Sequence, residues 1–236
     1  MPRRSTGIVV SCEHAGHRVP AAYRARFRGH SGVLKSHRGW DPGALELARA
    51  VAIACHAPLL ANTTTRLLVE CNRSIGHAQL FSEFTRDLDT AEHMRLLATV
   101  YHPHRRAVDV AVRRSLRGHK RAVHIAMHTF TPVLNGKRRS ADIGLLYDPR
   151  RPFEVEVADT LAKRLRAEMP KLRIRRNYPY RGWTDGLTTT LRERLPASRY
   201  AGIEIEVNQA KLATMARASA LARDIATAVR DALAAL

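Results

Sequence analysis

Short runs of β-branched and apolar residues alternate along this chain with segments patterned for helices. That alternation constrains the fold more than any other feature. Strands joined by helix-length crossovers pair in parallel and need helices on both faces of the sheet. Residues 8–12 (IVVSC) read as a buried strand that closes on Glu13 and His14. Residues 43–56 carry Leu45, Ala48, Ala52 and Cys55 on or near one helical face, with Asp41 and Pro42 where an N-cap and a first-turn proline belong. Apolar runs follow at 58–61 and 67–71, then a long helix over 91–117, interrupted or bent near Pro103. Strands are expected at 122–127, 142–147, 172–176 and 202–207, and helices at about 153–168, 187–194 and 210–235. Residues 131–140 (TPVLNGKRRS) read as a surface loop. The 236 residues suit one domain, residues 1–236, of the α/β class. The expected architecture is a three-layer sandwich around a mostly parallel or mixed sheet.

In such sheets the working residues gather at the carboxyl ends of strands. Four apolar runs end there in polar groups: 8–12 in Glu13 and His14, 67–71 in Asn72 and Arg73, 122–127 in His128 and Thr129, and 202–207, which holds Glu204 and Glu206, in Asn208. If these strands are parallel, two histidines, an arginine and a glutamate converge in one crevice. That set suits a hydrolytic metal site: imidazoles for zinc, a carboxylate to move protons, and a cation for an anionic group. Each member has a plainer reading. His14 and His128 can be core histidines among the 12 in the chain, Asp41 a helix cap, and Arg73 a surface cation. Glu206 resists it, because an unpaired carboxylate in an apolar strand is costly. Glu204, on the same face, can pair with one of the many arginines.

Seven segments, taken in order, carry a family resemblance: Ser11–Gly16 with Val19-Pro20, Asp41–Ala44, Arg66–Arg73, Met127–Phe130, Asp142–Gly144, Asn177–Gly182 and Gly202–Val207. Together they resemble the N-formylglutamate amidohydrolase family, itself similar to the zinc carboxypeptidase-like hydrolases. The resemblance implies a phosphorylase/hydrolase-like fold and Zn2+ as cofactor. It implies that His14 and His128 are zinc ligands and that Glu206 is general base and then general acid. It implies that Arg66, Asn72 and Arg73 hold the substrate carboxylate and polarise the scissile carbonyl. Asn177 and Tyr180 can line the pocket, although an Asn-x-Pro-Tyr turn is equally a loop feature. Three departures stand out. His17 replaces the glutamate that carboxypeptidases carry three residues after the first histidine, so Asp41 is taken as third ligand ahead of Glu13. Glu70 replaces the aspartate of the Asp-x-Asn-Arg motif, and no acidic residue immediately precedes His128.

Forty Lys and Arg against 21 Asp and Glu give a net charge of +19, which draws anions. The expected partner is a small anionic N-acyl amino acid. Nucleic acid is expected only as a non-specific electrostatic ligand, since no recognition motif is present and aromatic residues are 6% of the chain. Two rival readings remain: an amidase for another N-acyl or cell-wall-type amide, and a non-catalytic basic binding protein. No run has the length of a membrane span. The apolar stretch after the short basic N-terminus holds Glu13, His14 and His17, which does not read as a signal peptide. Three cysteines without close pairing point to a reducing cytoplasm.

Overall fold

The computed structural model describes residues 6–236. Its main sheet has six strands: β1 (Thr6–Cys12), β2 (Leu59–Ala61), β3 (Arg121–Phe130), β6 (Ile143–Leu146), β7 (Ile174–Arg176) and β8 (Tyr200–Asn208). They lie in the order β2-β1-β3-β8-β6-β7. The first four positions are mutually parallel, β6 runs antiparallel to β8, and β7 is parallel to β6. Alternate residues of β1 explain the layering: Val10 and Cys12 enter one core, Val9 the other. The first core is covered by α2 (Ala44–Ala54), α5 (Pro152–Glu168) and α7 (Met215–Ala234), through residues such as Leu47, Leu161 and Val229. The opposite face carries α4 (His102–Gly118) and α6 (Leu187–Arg194), with Val108, Val112 and Leu191 against Val9 and Tyr200. The fold is therefore the expected three-layer α/β sandwich on a mixed sheet. Among the described residues, no helix is long and apolar enough to cross a membrane.

Two local expectations need correction, and a third gains detail. Residues 67–71 form turns rather than a strand. Leu67, Leu68 and Val69 are buried in a satellite cluster with Tyr23, Phe27 and Tyr101, off the sheet. Their backbone is satisfied locally: Thr85 Oγ1 donates to Leu68 O at 2.8 Å, and Glu70 N to Leu80 O at 2.9 Å. The helix over 91–117 is interrupted near Pro103 as expected: it is α3 (Thr90–Leu96) and α4, joined by a π-helical turn at Leu97–Tyr101. Pro103 has no N–H to give, and the ladder widens just ahead of it. The other correction is that Asp41 does not cap α2. The N-cap is Gly43, at φ 84°, with no side-chain hydrogen bond, which leaves the Asp41 carboxylate for other work.

Two features shape the rim of the sheet. The segment 131–140 is a hairpin, β4 (Val133–Leu134) against β5 (Lys137–Arg138), closed by Asn135 and Gly136 at φ 49° and 73°. Positive φ at both turn residues matches the right-handed twist of a two-residue hairpin. At Gly144, on β6 beside Glu206, a Cβ would run into the carbonyl oxygen of Tyr178. The loop 177–182 lies directly over this glycine. Gly144→Ala is expected to displace that loop and to cost about 1–3 kcal/mol, the usual scale of overpacking. Denaturant unfolding would read the loss, and an unchanged midpoint would show that the loop yields freely.

Candidate active site

The carboxyl ends of β1, β3 and β8 meet at the centre of the sheet. His14 leaves β1, His128 sits near the end of β3, and Asp41 approaches from the loop before α2, its N–H bonded to His14 O at 3.0 Å. Asp41 Oδ2 lies 3.2 Å from His14 Nδ1 and 2.9 Å from His128 Nδ1. One ligand atom from each of the three residues lies within 4.8 Å of the others, and all three side chains are buried. The outward nitrogens face carboxylates. His14 Nε2 is 2.5 Å from Glu70 Oε1. His128 Nε2 is 2.9 Å from Glu13 Oε2, an ion-pair contact rather than an aligned hydrogen bond. Glu13 also lies 3.4 Å from His104 Nε2 on α4. Burial alone would raise the Asp41 carboxyl, yet the His14 charge, hydrogen bonds from both histidines and Arg66 hold it far below the usual carboxylate range. Glu70 is likewise lowered against its burial, chiefly by Arg66 and His14.

This donor set fits a divalent cation. Two imidazoles and one carboxylate converge, and each imidazole can donate its outer N–H to a carboxylate, leaving the Nδ1 lone pair inward. Nitrogen and oxygen donors in this combination suit zinc, and three protein ligands leave a position open for water or substrate.

Glu206 lies beside this cluster because β3 and β8 pair in parallel with His128 opposite Glu206. Its other sheet neighbour is Gly144, which has no side chain to cover it. Glu206 is 5% exposed, and its Oε2 has no hydrogen-bond partner among the described residues. Burial pushes its carboxyl up to about 7; Asp41 and Glu204 add to that, while His128 opposes it. Glu204 itself accepts from Thr188 Oγ1 at 2.7 Å and is turned toward α6. Arg66 borders the same cluster. Its Nε donates to Glu70 Oε2 at 2.6 Å and its Nη1 to Asp41 Oδ1 at 3.3 Å, with 28% of the side chain open to solvent.

A family model for N-formylglutamate amidohydrolase matches residues 6–213. The chain belongs to the N-formylglutamate amidohydrolase family. It is similar to the crystal structure of a gene product of Agrobacterium tumefaciens, at 30% identity and a TM-score of 0.82 over 99% of this chain and 92% of that one. It is also similar to an N-formylglutamate amidohydrolase of Ralstonia eutropha, at 20% identity and a TM-score of 0.73 over 98% and 94% of the two chains. No curated protein matches the sequence. The chain is thus a hydrolase of a family that cleaves amides.

The other family positions fall into two groups. Asn72 and Arg73 tie the Glu70 turn to the start of α6: Asn72 Oδ1 accepts from Leu187 N at 2.8 Å, and Arg73 Nη1 donates to Asp185 O at 2.6 Å and Asn72 O at 3.3 Å. Asn72 N also donates to Glu70 Oε1 at 2.9 Å, so this tie steadies the carboxylate behind His14. Asn177, at φ 49°, turns its Oδ1 to the N–H groups of Tyr147 and Gly182, at 3.0 and 3.1 Å. It shapes the loop instead of facing the crevice. Tyr180, at the apex of that loop, is 44% exposed and feels the charges of Glu206, Arg139 and Arg66. Sequence reasoning missed Glu70 and His104 as supports, and weighed Glu13 only as a ligand. The structure places Glu13 behind His128. Its adjacency to His14 was a signal, whereas nothing local marks His104.

Proposed function

We propose that this family member is a zinc-dependent amidohydrolase that cleaves N-formyl or short N-acyl amino acids with a free carboxylate, such as N-formylglutamate, to formate or another acid and the free amino acid. The observation that carries the reading is the buried, unpartnered Glu206 Oε2 beside the cluster of His14, Asp41 and His128. His14, Asp41 and His128 hold the ion, with Glu70 and Glu13 orienting the two imidazoles. A zinc ion there supplies Lewis acidity and lowers the pKa of water. Glu206 accepts the proton of the attacking water at Oε2 and returns it to the departing amine nitrogen. Its ordinary value, raised to about 7 by burial, suits a group that must take and give a proton near neutrality. Arg66, anchored by Glu70 and Asp41, presents its open edge to the oxyanion that develops on the carbonyl. The net charge of +19 draws acidic substrates toward the crevice. The free thiols of Cys12, Cys55 and Cys71 support work in a reducing cytoplasm.

The test is elemental analysis of protein purified without chelator, together with assays on N-formylglutamate. About one zinc per chain is expected. His14→Ala and His128→Ala should each lose the metal while keeping the fold by circular dichroism. Wild-type protein that holds no metal and stays inactive when zinc is added would reject the reading.

A further inference from the structure

We propose that Arg139 is the specificity-determining residue of this site, binding a carboxylate of the substrate. The inference rests on the hydrolase reading above and assigns its anion clamp. Arg139 follows β5 directly, where the hairpin returns to the sheet, and its N–H donates to Pro132 O at 2.8 Å. The residue is 9% exposed, although the hairpin before it is open to solvent. Its guanidinium carbon lies 4.9 Å from the centre of the Tyr180 ring and 5.7 Å from that of Phe130. Phe130 ends β3 two residues past His128, so the guanidinium stands at the strand end that carries the metal-ligand cluster. Tyr180 and His37 each feel the charges of both Arg139 and Arg66.

The other buried arginines are spent. Arg192 is paired with Glu154 at 2.8 Å, and Arg105 donates to Cys71 O at 2.9 Å and Thr190 Oγ1 at 2.6 Å. Among the described residues Arg139 Nη1 has no partner, and no carboxylate pairs with the guanidinium. A buried cation without a counter-charge is costly, and a structure keeps one where a ligand supplies the charge. A planar fork stacked on an aromatic ring recognises a carboxylate through two parallel hydrogen bonds, which a lysine does not reproduce. The guanidinium lies over the Tyr180 ring and within reach of the Tyr180 hydroxyl, which holds it at the rim, while Nη1 is left for the ligand. Arg73, whose Nη1 is committed to two main-chain carbonyls, has less to offer an anion.

Two measurements test this. The first is calorimetric binding of glutarate, a dicarboxylate with no amide, to the zinc-loaded protein. It asks about the clamp without requiring turnover, so it separates failure of the clamp from failure of the proposed reaction. Arg139→Ala should weaken glutarate by about 100-fold, the scale for removing one partner of a buried charge pair. Arg139→Lys should recover only part of that loss, and Arg138→Ala, on the exposed edge of the same hairpin, should bind as wild type does. The second measurement compares N-formylglutamate with its mono- and diamides. Wild type should discriminate strongly through KM, and Arg139→Ala should lose that discrimination while circular dichroism stays unchanged. A merely structural hold on Tyr180 would weaken acids and amides alike. Wild-type affinity for glutarate in Arg139→Ala, or a loss confined to Arg73→Ala, would overturn the assignment.

Discussion

Glu206→Gln is expected to retain metal and fold while turning over at least about 100-fold more slowly, the usual scale of general acid–base catalysis. Glutamine keeps the shape of the side chain and removes the proton acceptor at Oε2, the atom without a partner in this site. The pH dependence follows from the raised carboxyl. The base must be ionised, so kcat/KM should climb with pH along an acid limb at or below about 7, since a cation at His14, Asp41 and His128 draws the value down. That limb should vanish in the variant. Stability should move the other way. Burial raises the folded-state value above the unfolded one of about 4.3, so ionisation costs stability. The cost is absent below about pH 4, grows toward pH 7 and is fully present above it. Chelator-treated Glu206→Gln should therefore melt above wild type at pH 8 and level with it at pH 4. Equal turnover in the two proteins would make Glu206 a structural residue.

The largest loss of stability is expected from Glu154→Ala. Glu154 is fully buried at the start of α5 and receives Arg192 Nε at 2.8 Å, Asp148 N at 2.8 Å and Gly202 N at 3.2 Å. Arg192 in turn donates to the carbonyls of Gly182 and Gly202. The pair thus clamps α5, α6, β8 and the end of the 177–182 loop. Removing the carboxylate strands a buried guanidinium, a cost of about 3–5 kcal/mol against a total stability of roughly 5–15 kcal/mol. Urea unfolding should show a fall in unfolding free energy of that size. The double change Glu154→Leu with Arg192→Met should recover only part of it: the buried charge is gone, but the Asp148 and Gly202 N–H groups and the Gly182 and Gly202 carbonyls lose their partners.

Much of the fold is legible in the sequence because apolar periodicity reports which face of each segment is buried. The strands that close on His14, His128 and Glu206 read correctly, since β-branched residues and length agree there. The run 67–71 misleads for the same reason. Leu67, Leu68 and Val69 are buried, but in a loop cluster, and apolar content alone does not say what covers it. Asp41 is ambiguous by position, since an aspartate before a proline caps helices as readily as it binds metal, and only its partners decide. Arg139 is illegible. It stands in Lys137-Arg138-Arg139, a charged stretch beside an Asn-Gly turn, and only the fold of the hairpin separates the buried guanidinium from its exposed neighbours.

The reversed direction of β6 has a consequence for how such an enzyme diversifies. In an all-parallel sheet the connection entering a strand lies on the side opposite the catalytic rim. Here β6 runs against β8, so the connection that enters it, residues 131–142, arrives at the rim itself. Its tip is an exposed two-residue turn that contributes nothing to the cores on either face of the sheet. Length and sequence can drift there at little cost to the scaffold, because loop closure grows dearer only slowly with length. Hairpin exchange between relatives would thus change what borders the rim and leave the scaffold unaltered.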